Sequence, residues 1–417
     1  MTANGPRTHG FGLRERCLLF FCLINFTTGA LYVWSIFAAA LAGRLSTLAG
    51  AAVTPGELAP VFGVASAMTP FMMIAGGFVN DRFGPKPVIS AGGLLIGLGY
   101  WGACAAGDVA GLMLSYGLLV GVGTGLVNGC TINTAVKFFP DRRGFAGGLV
   151  TASLGLGAAA LPFAAKAAIE LLGIDGALVL FGLVSAAVIT PLGLLTKKPA
   201  AEGMEARAAA GGAVPRPSAT PREMIASPVF IPLALLFMTA ASMGLMLISS
   251  ASSIGMSQVG LDAAAAAGAL SVLSLANTAG RFVSGVASDR FGRLPTLTAM
   301  LVVALAGLAA LWTAGRGDAL LFFVGLAGVG LCFGSFIGVY PGLVADEFGP
   351  KYNSVNFSIL MLGYSVGGIA GTWLIKATAA SGSFSGAYLT AMALAAAGIG
   401  FAFMTRRRAG APAAASC

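Results

Sequence analysis

Long apolar stretches alternate with short polar ones along the whole chain. The hydrocarbon core of a bilayer is about 30 Å thick, so a helix needs roughly 20 predominantly apolar residues to cross it. Twelve stretches qualify, at 17–42, 58–80, 87–106, 109–136, 145–168, 174–195, 228–252, 263–287, 295–315, 319–344, 355–376 and 384–404. The pattern predicts an all-α polytopic membrane protein with twelve transmembrane helices.

A charged turn occurs twice between these stretches. Residues 77–87 reappear as residues 285–295 with six of eleven positions identical, and both copies contain Asp-Arg-Phe-Gly. Internal repeats of this kind are typical of transporters built from two similar halves. We therefore predict two pseudo-symmetric six-helix halves, 1–195 and 228–417. The segment 196–227, which is rich in Ala, Gly and Pro, is predicted to be a cytoplasmic tether between them.

Composition and charge agree with a membrane protein. Apolar residues make up 57% of the chain and charged residues 9%, against roughly 25% charged in soluble domains. The net charge of +9 is uneven, because the predicted topology leaves few basic residues on one side: Arg44, Lys166, Arg316 and Lys376. Positive residues accumulate on cytoplasmic loops. We expect both termini in the cytoplasm, a location in the inner (plasma) membrane and no nucleic-acid partner.

Catalytic chemistry has little support. The six cysteines show no Cys-x-x-Cys spacing and the only histidine, His9, lies in the N-terminal tail. No disulfide, metal site, cofactor or enzyme activity is predicted. The 61 glycines favour close helix packing. Several line the fifth predicted helix, which either packs tightly or slides during transport: Gly144, Gly147, Gly148, Gly155 and Gly157.

Arg281 is the one ionisable residue predicted deep inside the hydrocarbon region. It precedes Asp289 by eight residues, which is ~12 Å along a helix. A central arginine costs about 2.5–3.5 kcal/mol on insertion scales, and no acidic residue is predicted at that depth. Guanidinium binds carboxylate in a two-pronged geometry, so a carboxylate substrate would supply the missing charge. The alternative is a structural arginine satisfied by backbone carbonyls and water.

Other candidates depend on Arg281. Asn277 lies four residues earlier on the same helix face and could orient the guanidinium or bind substrate. Without Arg281 beside it, a polar residue here would more often stabilise helix–helix packing. Further residues could line a cavity or simply pack: Tyr32, Asn128, Phe333 and Tyr340. The repeated turns are predicted to gate access, with topology marking by positive charge as the alternative, and their gating residues are Asp81, Arg82, Asp289 and Arg290.

These motifs resemble a known family. Gly-x-x-x-Asp-Arg-x-Gly at 77–84, repeated at 285–292, resembles the signature loop of the major facilitator superfamily. More finely, the segments 29–35, 133–135 and 139–144, together with Asn277-x-x-x-Arg281, are similar to the oxalate/formate antiporter family, which is related to monocarboxylate transporters. The resemblance implies a small organic anion held by Arg281. That family's oxalate exchanger has a lysine in helix eleven where Tyr364 stands here, which favours a monocarboxylate over a dianion and makes Tyr364 a candidate ligand.

Together these features predict a secondary active transporter of monocarboxylates such as lactate or formate, working by alternating access as a proton symporter or anion exchanger. Its expected partners are a small carboxylate, a co-transported proton or counter-anion, and the lipid bilayer; the protein is expected to be monomeric. The alternatives are an oxalate/formate-type dicarboxylate exchanger and a carrier of an unrelated solute. A non-transporting membrane sensor is disfavoured because the predicted tails are short.

Overall fold

The computed structural model describes residues 12–50, 52–199, 218–379 and 384–409, and all regular structure in these ranges is helical. His9, Cys417 and residues 200–217 of the predicted tether lie outside the described residues.

Apolar helices of membrane-spanning length fill the molecule, and we number them α1 to α12. The helix bounds are Leu13–Ala49 for α1 (in three segments given below), Ala59–Phe83 for α2, Pro85–Ala105 for α3, Val109–Phe138 for α4, 143–172 for α5, 174–195 for α6, Phe230–Ile248 for α7, Ala263–Phe291 for α8, Arg293–Thr313 for α9, Ala319–Phe348 for α10, Asn353–Ala379 for α11 and Ser385–Ala409 for α12.

One continuous helical segment of the structure consists of two helices, α5 and α6. Within the described residues, eleven helices are long and apolar enough to cross a membrane, and one of them, Arg143–Leu195, has 53 residues. It bends at Gly173, whose φ of 72° and ψ of 175° are not helical. Glycine adopts this positive φ without a steric cost. Counting α5 and α6 on either side of Gly173 gives the twelve helices that the hydrophobic pattern predicts.

Three helices are interrupted along their length. In α1, a 3₁₀ segment, Gly29–Val33, joins Leu13–Thr28 to Trp34–Ala49. In α4, Met113–Val120 is a π-helix, and α11 is broken at Met361 between its two helical segments. Such breaks often mark functional positions in membrane helices. The breaks in α1 and α11 fall beside Tyr32 and Tyr364, two of the predicted site residues.

The helix order defines two faces of the bundle. The turns α2–α3, α4–α5, α8–α9 and α10–α11 lie together, and we call this end the charged face because it carries Asp81, Lys137, Arg143, Asp289 and Asp346. The other end is the opposite face. There, Arg44 of α1 donates to the Ala103 and Ala106 carbonyls at the end of α3, at 3.0 and 2.6 Å, and pairs with Asp175 of α6.

We call α1–α6 the N-half and α7–α12 the C-half; they meet along two seams. One seam pairs α2 with α11, and the other pairs α5 with α8. Glycines allow the backbones to touch: a Cβ atom at Gly77 would lie 3.0 Å from the Ser354 carbonyl, and one at Gly144 would overlap the Gly285 carbonyl. Close approach of this kind replaces the hydrophobic drive that helices lack in lipid.

The described ends of the tether lie against the charged face. The Lys198 ammonium donates to the Arg82 carbonyl at 2.8 Å, and the Ala219 N–H donates to the Phe348 carbonyl at 2.9 Å. A short helix, Pro221–Ala226, follows. Hydrogen bonds from the backbone and side chain of Thr220 hold the pKa of the Glu223 carboxyl below its usual value, as expected for a capping box.

Candidate anion site and gates

Arg281 is held on two of its three nitrogens. Its Nε donates to Asn277 Oδ1 at 2.9 Å, and its Nη1 donates to the Thr151 carbonyl of α5, also at 2.9 Å. The first contact lies within α8, as the four-residue spacing predicts, whereas the second crosses the α5–α8 seam. Among the described residues, Nη2 has no hydrogen-bond partner and no carboxylate lies within ion-pair distance of the guanidinium.

The helix that carries Arg281, α8, packs closely against α10 of the same half. A Cβ atom at Gly334 of α10 would overlap the Asn277 carbonyl, and one at Gly330 would lie 2.7 Å from the Leu273 carbonyl. Side chains larger than hydrogen would therefore push α10 away from α8. The Asn277 side chain is almost fully buried at 6% exposure, so the amide that orients Arg281 is itself confined.

Two tyrosines from other helices lie close to Arg281. The side chains of Tyr32 of α1 and Tyr364 of α11 are near enough to interact electrostatically with the Arg281 guanidinium and with each other. Tyr32 is 47% exposed, and the Tyr364 ring stacks on Phe333 of α10 with centroids 5.9 Å apart. The structure thus brings Arg281, Asn277, Tyr32 and Tyr364 together from both halves, with Phe333 behind Tyr364.

Two other predicted cavity residues each use a polar side-chain atom in a packing contact. Tyr340 is fully buried, donates its hydroxyl to the Leu233 carbonyl at 2.7 Å and stacks on Phe237. These contacts match the packing alternative for Tyr340, since an aromatic residue in an apolar segment does not reveal from the sequence which way it faces. Asn128 is 8% exposed and accepts a hydrogen bond from the Thr28 hydroxyl of α1 at 2.9 Å, which is the packing alternative.

On the charged face, Asp289 joins the two halves at the α5–α8 seam. Its carboxylate accepts hydrogen bonds from the backbone N–H groups of Gly144 and Phe145, at 2.8 and 2.7 Å, and pairs with Arg293 at 2.6 Å. Gly144 and Phe145 begin α5, where free N–H groups and the helix dipole favour a negative charge. Asp289 of one half therefore caps a helix of the other.

Asp81 makes the corresponding contact at the α2–α11 seam. It accepts from the Val355 N–H near the start of α11 at 3.2 Å and pairs with Lys137 of α4 at 2.5 Å. Its side chain is 6% exposed, so little water competes for it. The two repeated carboxylates thus occupy equivalent positions, each across a seam.

The arginines next to these carboxylates take no part in the contacts. Arg82 and Arg290 are exposed, and each lies over the ring of its neighbouring phenylalanine, Phe83 or Phe291. Consecutive helical residues point in different directions, so the prediction that they act as gate residues has no support in these contacts. The cations that pair with the two carboxylates are instead Lys137 and Arg293.

Sequence reasoning missed most of the ion network. Arg293 also pairs with Asp346 at 2.8 Å, and Asp346 with Arg143 of α5 at 2.5 Å. The four-residue spacing between Asp289 and Arg293 was a usable signal. Nothing in the sequence indicated the pairings that join distant helices.

The hydrogen bonds and ion pairs that join the described parts of the two halves lie toward the charged face. Hydrogen bonds and ion pairs between them run from the charged face to the depth of Arg281. Within the described ranges, no hydrogen bond or ion pair links the halves at the opposite face. The charged end of both seams is therefore closed, and the hydrogen bond from Arg281 to Thr151 lies at the inner end of these polar contacts.

Known proteins share this sequence and this architecture. The sequence matches the Major Facilitator Superfamily over residues 16–372 and 241–416. It is 33% identical to the uncharacterized MFS-type transporter YhjX of Escherichia coli K12, over 83% of this chain and 84% of the relative. It is 28% identical to the oxalate:formate antiporter of Oxalobacter formigenes, over 89% and 85%. The fold is similar to that of the E. coli fucose:proton symporter FucP, with a TM-score of 0.67, 16% identity and coverage of 94% and 98%.

The helical fold, the repeated charged turns and the sequence match define the class: this is a multi-pass membrane transporter and not an enzyme. The chain belongs to the major facilitator superfamily.

Proposed function

We propose that this transporter carries small monocarboxylates, such as lactate or formate, with Arg281 as the anion ligand. The observation behind the proposal is a guanidinium, deep in the helix bundle, that no described carboxylate neutralises. Two of its nitrogens are held by Asn277 and Thr151, and the third is free among the described residues. A substrate carboxylate would supply both the missing hydrogen bond and the missing charge.

The surroundings of Arg281 support one negative charge better than two. Tyr364 stands where the resemblance implies a second cation, and it stacks on Phe333. A monocarboxylate would neutralise Arg281, whereas a dianion would leave an excess negative charge in a medium of low dielectric constant. The antiporter relative supports an organic anion as substrate.

The gate carboxylates give this site access to one face at a time. In our proposal, Asp81 and Asp289 stabilise the state in which the charged face is closed, and substrate then reaches Arg281 from the opposite face. The charged face is assigned to the cytoplasm and the protein to the inner membrane, because basic residues accumulate on cytoplasmic loops. Transport runs as anion exchange or as proton symport.

Counterflow into proteoliposomes tests the proposal. Vesicles are loaded with lactate, formate, oxalate or pyruvate, and entry of a labelled anion is measured with and without a pH gradient. We expect exchange of monocarboxylates by the wild-type protein. Stimulation of net uptake by the pH gradient would indicate proton symport, and dependence on an internal anion would indicate exchange.

The decisive variant is Arg281→Lys, because an ammonium keeps the charge but lacks the planar fork. Loss of a charged hydrogen bond is worth about 1.5–3 kcal/mol, so we expect at least roughly tenfold slower exchange. Arg316→Lys is the matched control, since Arg316 is exposed in the turn between α9 and α10. Near-normal carboxylate exchange by well-folded Arg281→Lys protein would refute the proposal.

A further inference from the structure

The backbone of Arg281 is enclosed by glycines from two other helices. A Cβ atom at Gly148 of α5 would lie 2.5 Å from the Arg281 carbonyl oxygen, and one at Gly338 of α10 would lie 2.8 Å from the Arg281 Cα. Cβ atoms essentially never come within 3.0 Å of such atoms. Both positions therefore need glycine for the three helices to meet at this residue.

The Gly148 contact lies one helical turn from the hydrogen bond that holds the guanidinium. Thr151 follows Gly148 by three residues, and its carbonyl accepts from Arg281 Nη1 at 2.9 Å. The Thr151 hydroxyl donates to the Gly147 and Gly148 carbonyls instead, so only the backbone of α5 reaches the arginine. The separation of α5 and α8 at Gly148 thus decides whether this hydrogen bond forms.

The two glycine contacts differ in how they depend on the state of the transporter. Gly338 and Arg281 belong to the same half, so their contact persists when the halves move as rigid bodies. Gly148 and Thr151 belong to the other half. Their contacts with Arg281 exist only while the α5–α8 seam is closed.

We propose that Gly148 is a positioning residue for the anion-binding arginine. By letting α5 touch the Arg281 carbonyl, it brings the Thr151 carbonyl to Nη1, which fixes the guanidinium plane and leaves Nη2 for the substrate. Arg281 of the C-half is therefore oriented by α5 of the N-half, and only while the charged face is closed. This inference rests on the proposed role of Arg281 as anion ligand.

The test compares Gly148→Ala with Gly144→Ala. A Cβ atom at Gly144 would overlap the Gly285 carbonyl in the same seam, so both variants push α5 from α8, but only Gly148 contacts Arg281 itself. In proteoliposomes we expect Gly148→Ala to raise the KM for lactate roughly tenfold, which corresponds to one charged hydrogen bond. Gly144→Ala should change the maximal rate and leave KM within about twofold.

Measuring the KM for lactate separately at each face of the membrane distinguishes the variants further. Gly148→Ala should raise KM for lactate added at the opposite face much more than for lactate added at the charged face. Gly338→Ala displaces the same carbonyl from within the C-half, so it should raise KM at both faces. If Gly148→Ala does not assemble, an unchanged KM in Gly338→Ala overturns the inference.

Two outcomes separate this inference from the proposed function. Equal KM changes in Gly148→Ala and Gly144→Ala, together with loss of lactate exchange in Arg281→Lys, would leave the anion ligand in place and reduce Gly148 to seam packing. Normal exchange in Arg281→Lys would remove the proposed function and this inference with it.

Discussion

The two seams join the same halves at equivalent positions, and each has a glycine contact and a carboxylate that accepts from a backbone N–H of the other half, yet their remaining contacts differ. In the α2–α11 seam, side chains reach across: Asn80 Nδ2 donates to Ser354 Oγ at 2.9 Å, and Ser358 Oγ donates to the Met73 carbonyl at 3.0 Å. In the α5–α8 seam, glycines bring the backbones into contact, and Arg281 donates to a carbonyl of α5.

The repeat makes the difference more informative. Asp81 and Asp289 are equivalent positions of the repeat, and the same offset pairs Met73 of α2 with Arg281 of α8. Each of the two residues takes part in a hydrogen bond across its own seam: Met73 through its carbonyl as acceptor, and Arg281 through its side chain as donor. The two halves therefore have equivalent positions at this depth, Met73 and Arg281, and only Arg281 is a cation. The proposed anion site would consequently lie off-centre, on the C-half side of the bundle.

The largest effect that distinguishes the seams is expected from the gate carboxylates. Asp289 accepts hydrogen bonds from two backbone N–H groups, whereas Asp81 accepts one such bond with a longer N···O distance. Asp289→Asn should therefore weaken the closed state more, by about 1.5–3 kcal/mol, and change the maximal exchange rate roughly 30-fold. Asp81→Asn should act in the same direction but less.

The KM for lactate separates gating from binding in these variants. Neither carboxylate lies at the depth of Arg281, so KM should stay within about twofold. A large rise in KM at unchanged maximal rate, or no effect of either variant, would contradict a gating role. Access of a thiol reagent to a cysteine introduced at the charged face gives the population of the open state directly.

How far the sequence predicts these features depends on the interactions involved. The twelve segments and the break between α5 and α6 follow from hydrophobic length and one glycine, Gly173. The depth of Arg281 and its bond to Asn277 follow from helical spacing. The Thr151 carbonyl could not be predicted, because every residue has a backbone carbonyl and only tertiary packing selects this one.

Faces and long-range pairs were the weak points for the same reason. The sequence left Tyr340 as either a cavity or a packing residue, and its hydroxyl bonds to the Leu233 carbonyl in the packed interior. Arg82 was assigned to a gate, whereas Lys137 pairs with Asp81. A continuously apolar segment has no periodicity to orient its side chains, and an ion pair between distant helices leaves no pattern along the chain.

A medium effect is expected from substrate charge, since only one of the two equivalent positions carries a cation. Lactate and formate should compete for the site roughly tenfold better than oxalate, because a second negative charge has no described partner beside Arg281. Competition against a labelled monocarboxylate on purified protein measures this preference. Tighter binding of oxalate would mean that Tyr364, or a cation outside the described residues, stabilises the second carboxylate.

The smallest effect is expected from one neutral side-chain hydrogen bond across the α2–α11 seam. Ser358→Ala removes the donor to the Met73 carbonyl, and also a bond to Ser354 within α11. A neutral hydrogen bond contributes about 0.5–1.5 kcal/mol, so the exchange rate should change only about threefold. KM for lactate should stay nearly constant, because Arg281 and its hydrogen bond to Thr151 belong to the other seam. Ser115→Ala is the matched control, since Ser115 is buried and its hydroxyl donates to the Gly111 carbonyl of its own helix. A KM change in Ser358→Ala as large as that in Gly148→Ala would mean that both seams position the substrate, and the site would then lie on the axis between the halves.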